Sequence, residues 1–178
     1  MRRKISALMI GIVILSVLMI PTVLATKPKS VLGTWEWRAP SEDVPPGFFD
    51  VIKVTGDGNV FIHADDDARF TGTFEGTGYD VFKITIHPDG FATGSGRTEF
   101  TGEVDEKPGT LEIMWVGKTK WNDAEDAWWW SFKWVIISGT GELANLRGQG
   151  TCWGPGPEGP YMGYGGVVMT GTIHFDPS

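Results

Sequence analysis

An all-β fold, an eight-stranded antiparallel β-barrel with one extra hairpin or edge strand, is the class that this sequence predicts, and three observations predict it. Turn signals recur at hairpin spacing, with Gly56-Asp57-Gly58-Asn59, Pro88-Asp89-Gly90 and Lys107-Pro108-Gly109 the clearest. Glycines stand inside strand-like stretches, as at Gly72, Gly94, Gly96, Gly148 and Gly150, where a curling sheet needs to bend. No stretch of the domain carries the 3.6-residue apolar period of a helix.

The first 25 residues are set apart from that fold. Arg2, Arg3 and Lys4 precede an uncharged apolar run from Ile5 to Leu24, and Val23-Leu24-Ala25 offers the residues of a cleavage site. A secretory signal peptide over 1–25 is expected, cleaved after Ala25, leaving one domain over 26–178 that is secreted or extracytoplasmic. Left uncleaved, the same run would anchor the chain in a membrane with the domain outside. The formal charge of −7 includes +3 from Arg2, Arg3 and Lys4, so the domain carries −10. That excess repels phosphates and disfavours nucleic acid as a partner. Cys152 is the single cysteine; it allows no intrachain disulfide and reads as a small buried hydrophobe.

Taken in order, Val31 to Arg38 alternates as a strand, with Trp35 and Trp37 on one face and Glu36 and Arg38 on the other. Pro40, Pro45 and Pro46 make the next segment a loop, because proline removes ladder donors. Strands then fall at Asp50 to Thr55 and Val60 to Ala64, with Asp65 to Asp67 read as a turn before a strand from Ala68 to Thr77. Gly78 separates that strand from Tyr79 to His87; Phe91 to Val104 and Thr110 to Lys118 follow. Asn122 to Ala127 is a polar, acidic loop.

The stretch from Trp128 to Gly150 closes the barrel. Trp128, Trp130, Phe132, Trp134 and Ile136 share one fully apolar face. Gly139 and Gly141 permit positive φ, and Leu143 to Leu146 is expected to make one helical turn whose leucines face the same way and plug a barrel end. The wording Gly139-Thr140-Gly141-Glu142-Leu143-Ala144-Asn145-Leu146-Arg147-Gly148, with the ending Gly171-Thr172-Ile173-His174-Phe175, resembles the C-terminal half of the allene oxide cyclase-like barrel superfamily, closest to a bacterial branch of unknown function. The resemblance implies an eight-stranded antiparallel barrel. It also implies kinship with plant proteins that steer a reactive intermediate inside such a barrel and assemble as dimers or trimers, so a homo-oligomer is an expectation. The matching residues form a structural corner, and no catalytic residue carries over.

Candidate chemistry is sparse. Nine tryptophans suit a large aromatic core, a cavity wall or an exposed stacking platform. Phe82, Trp130 and Trp134 fall on the inward parity of their strands and, with Arg38, are the candidate ligand contacts. Asp80 and Asp50 share the apolar parity near strand ends, where a solvated rim position is expected, and Glu36 lies beside Arg38; these three are the candidate acids for general acid or base work. His63, His87 and His174 lie on separate strands without ligand spacing, so no metal and no cofactor is expected. The reading is an exported barrel that binds a small, mainly apolar molecule. The alternatives are an isomerase or cyclase, and an envelope module that stacks carbohydrate on tryptophan.

Overall fold

The computed structural model describes residues 27–37, 49–123, 127–155 and 165–177. The signal segment, Arg38 and the proline loop of the sequence reading lie outside them. Nine strands make up the rest: β1 (Lys29–Trp37), β2 (Phe49–Val54), β3 (Val60–Gly72), β4 (Phe74–Ile86), β5 (Phe91–Val104), β6 (Lys107–Asn122), β7 (Ala127–Gly141), β8 (Leu146–Pro155) and β9 (Gly165–Phe175). Each pairs antiparallel with its neighbours in the order β1-β9-β8-β7-β6-β5-β4-β3-β2. A further pairing of β1 with β3 closes eight of them into a ring and leaves β2 as the added strand.

The register fixes the barrel's shape. Starting at Phe61, the partners run Thr85, Thr93, Lys118, Ser131, Trp153, Val168, Thr34 and back to β3 at Thr71. The path returns ten residues along the strand where it began. A stagger of that size in eight strands tilts them roughly 40° from the axis and leaves an interior that side chains can fill or that holds one small ligand.

Two local readings are corrected. Asp65 to Asp67 is strand, not a turn: β3 runs unbroken through it, and the turn falls where Gly72 takes φ 95°. Gly78 is likewise inside β4, facing Phe100 of β5. The alternation of apolar residues continues across both points and outweighs the local turn composition.

At the end holding the β7–β8 connection, the interior is full. Gly141 adopts φ 63°, and Leu143 and Leu146 are buried. The Leu143 N–H donates to the Thr140 carbonyl (3.1 Å) and the Leu146 N–H to that of Leu143 (3.0 Å), a turn rather than a helix. Above this plug, Trp35 meets Phe132 edge-on at 5.2 Å, Phe70 meets Phe100 at 5.2 Å, and Phe74 meets Trp134 at 5.9 Å. Trp134 fits because Gly150 and Gly171 lie against its ring, where an added Cβ would come within 2.6 and 2.7 Å. Edge-on rings match the aromatic quadrupole and are worth about 1 kcal/mol beyond burial.

Candidate functional site: paired carboxylates in the barrel mouth

Toward the other end the inner face changes. β1 stops at Trp37, opposite Ala68, and β2 begins its pairing with β3 at Ala64. Asp65, Asp66 and Asp67 therefore have a ladder partner only on β4 among the described residues. Here β3 to β7 continue as a wall beyond the last residues of β1 and β8. Its inner side carries Ile62, Ile84 and Trp130, which are partly buried against the core.

Asp80 lies inside this region, 0% exposed, and not at a solvated rim. The Trp37 indole N–H donates to one carboxylate oxygen (2.8 Å); the Thr98 hydroxyl and the Trp115 indole N–H (3.3 Å) donate to the other. Burial raises its pKa to about 6, and those donors, with a weaker contribution from the neighbouring Trp35, hold the rise back. The Trp35 Nε1 itself is buried and makes no hydrogen bond among the described residues.

Directly across the ladder from Asp80 is Asp66. It shares the inner parity of β3 with Ala64, Ala68 and Phe70 and is half-buried. Desolvation pushes its pKa up to about 8, with smaller contributions from the charges of Asp80, Asp67 and Asp65, while the Asp67 backbone opposes the rise. Two inward carboxylates whose environments separate their proton affinities can hold one proton between them near neutral pH.

The remaining candidates divide. Phe82, 5.9 Å from Trp115, and Trp130, 6.2 Å from Trp37, stand at this end. Trp134 is inward but lies in the filled half, its indole N–H donating to the Thr170 carbonyl at 3.2 Å. Asp50 is exposed on β2 beside His63, outside the ring. Glu36 is on the outer parity of β1, accepting from the Thr34 hydroxyl at 3.2 Å. Arg38 lies outside the described residues. Cys152 is buried, and burial raises its thiol pKa far above the usual range, which suits an inert core residue.

Three polar residues of the site escaped the sequence reading: Asp66, Thr98 and Thr119. Asp66 was masked by its acidic neighbours, although its parity with Ile62, Ala64, Ala68 and Phe70 places it inward. Thr98 alternates with Gly96 and Phe100, and Thr119 with Trp115 and Trp121; parity was the available signal in each case.

Comparison with known proteins adds a family and a fold. Residues 50–154 match the family described as "Protein of unknown function (DUF3224)". A crystal structure of a protein with unknown function from that family, from Shewanella oneidensis MR-1, superposes with a TM-score of 0.61 at 15% identity, covering 85% of this chain and 100% of the other. At that identity the likeness speaks for the fold alone. No curated protein matches the chain.

Proposed function

The chain belongs to the DUF3224 family, whose function is unknown, and from that premise we propose that it is an exported barrel that binds a small, mainly apolar molecule in the mouth formed by β3 to β7. One observation carries the reading. The barrel's interior is divided, with aromatic side chains filling the end plugged by Leu143 and a partly exposed apolar wall, interrupted by inward carboxylates, at the other. Apolar walls with a few convergent polar groups are what small-molecule sites are made of. Phe82 and Trp130 are its contact residues, and Trp134 belongs to the supporting core.

Titration of the purified protein with aliphatic and aromatic ligands, followed by tryptophan emission, tests this. A saturable change that Trp130→Ala weakens is expected; no change with any ligand would refute it. Export belongs to the same proposal, and native protein should begin at Thr26.

A second reading, an isomerase or cyclase in keeping with the resemblance to allene oxide cyclase-like barrels, draws on Asp66 and Asp80. One would give a proton to the substrate and the other take one from it as a double bond shifts, which exchanges their protonation states, and return of one proton between these ladder partners would restore both carboxyls for the next turnover. Asp66→Asn would then abolish turnover while binding persists.

A further inference from the structure

The polar groups of the mouth define what kind of head a ligand should carry. Among the described residues, the only ionisable side chains on the inner wall here are acids, Asp66 and Asp80. Around them β1 contributes Trp37, β5 Thr98, β6 Trp115 and Thr119, and β7 Trp130, none of them cationic. The neighbouring charges, Asp65 and Asp67 on β3, Lys83 on β4, Arg97 and Glu99 on β5, Lys118 and Lys120 on β6 and Lys133 on β7, are on the outer parity. Asp80 has its oxygens taken by three donors; among the described residues, Asp66 receives no side-chain donor and meets no cation.

Trp37, which donates to Asp80, the ladder partner of Asp66, has its ring 6.2 Å from that of Trp130 and inclined to it at 43°. Inclined indole faces next to a carboxylate attract an organic cation through the ring quadrupole and the full charge together. An independent sign comes from Thr119, the ladder partner of Trp130. It is 4% exposed on the same wall, and among the described residues its hydroxyl has no hydrogen-bond partner. Buried hydroxyls are normally satisfied, and an ammonium N–H would satisfy this one. The domain's net negative charge favours the approach of cations.

We propose that the molecule bound in this mouth is a hydrophobic amine, its protonated nitrogen held by Asp66 and the Trp37 and Trp130 rings, and its apolar body laid along Ile62 and Ile84. This rests on the binding reading above and narrows it. The cation competes with the proton on Asp66, whose raised pKa makes the carboxylate a minority species at pH 7 and the main one at pH 9. Amine affinity should therefore rise about tenfold over that interval while the alkylammonium stays charged.

Calorimetric titration with hexylammonium, hexan-1-ol and hexanoate, three probes with one body, provides the test. Hexylammonium should bind at least about tenfold more tightly than hexanol at pH 9 and release a proton on binding at pH 7, with hexanoate the weakest. Asp66→Asn should erase the preference and its pH dependence while hexanol binding persists, and Thr119→Val should weaken hexylammonium more than hexanol. Hexanol or hexanoate binding as tightly as hexylammonium, or an amine preference that survives Asp66→Asn, would overturn the proposal and leave the binding reading standing. If none of the three bound, both would fall.

Discussion

The two ends of the barrel are built by the same strands and meet different demands. On β7, Phe132, Trp134 and Ile136 are sealed in aromatic and aliphatic neighbours, whereas Trp130, two residues nearer the mouth, is only partly buried. On β4, Phe74 lies in the plugged half, and Asp80, on the same face, sits among indole N–H groups at the start of the mouth. A core minimises polar atoms; the mouth retains them at a cost in stability. The difference teaches that inward parity alone does not make a residue part of a site, and that depth along the barrel decides.

If the plugged half is a true core, Trp134→Ala should cost about 3–5 kcal/mol in urea unfolding, without altering ligand affinity in the fraction that folds. A loss under about 1 kcal/mol would mean that this half is loosely filled. The mouth should reveal itself through pH. Asp80 has a folded pKa raised from 3.8 to about 6, so the native state binds its proton more tightly than the unfolded chain. That stability is complete below pH 3.8 and is lost as pH rises through 6, by about 3 kcal/mol. Asp66 acts in the same direction, up to about pH 8. Asp80→Asn should flatten the first decline, and Asp66→Asn should stabilise the protein more at pH 9 than at pH 4. Wild-type stability that instead rose from pH 4 to pH 8, with neither substitution changing the slope, would place both carboxylates in water.

Smaller effects belong to the plug and the outer wall. Leu143→Ala should cost about 2–4 kcal/mol through the cavity it leaves. Gly141→Val should cost about 1–3 kcal/mol, because a β-branched residue is strained at φ 63°; thermal unfolding of each variant checks the order. Trp153, 50% exposed and stacked on Trp129 at 5.9 Å on the outer face, should cost under about 1 kcal/mol when changed to Ala. A larger loss there would blur the contrast between inside and outside.

Much of the barrel was legible because its signals are local and periodic. The turn at Gly56 to Asn59, the alternation of β7 and the positive φ of Gly141 each follow from a few adjacent residues. The site was less legible because it depends on pairing across strands. Asp80 could be given inward parity, but its burial depends on Trp37, Thr98 and Trp115 arriving from β1, β5 and β6. Asp66 was hidden by composition: three successive aspartates look like a turn, and only unbroken pairing with β4 from Val60 to Phe70 makes them strand. Glu36 and Asp50 show the reverse case, acids with plausible sequence neighbours that the register turns outward or sets outside the ring.

Backbone and methyl spectra recorded while hexylammonium is added to the wild-type protein at pH 9 test the central claim most directly. The division of the interior predicts saturable shifts at Ile62, Ile84, Thr119 and the Trp130 indole, with Leu111, Leu143 and Leu146 undisturbed. Shifts concentrated instead on Met114, Val116 and Val135, which line a groove of about 830 Å3 on the outer wall, or shifts spread through the plugged end, would contradict it.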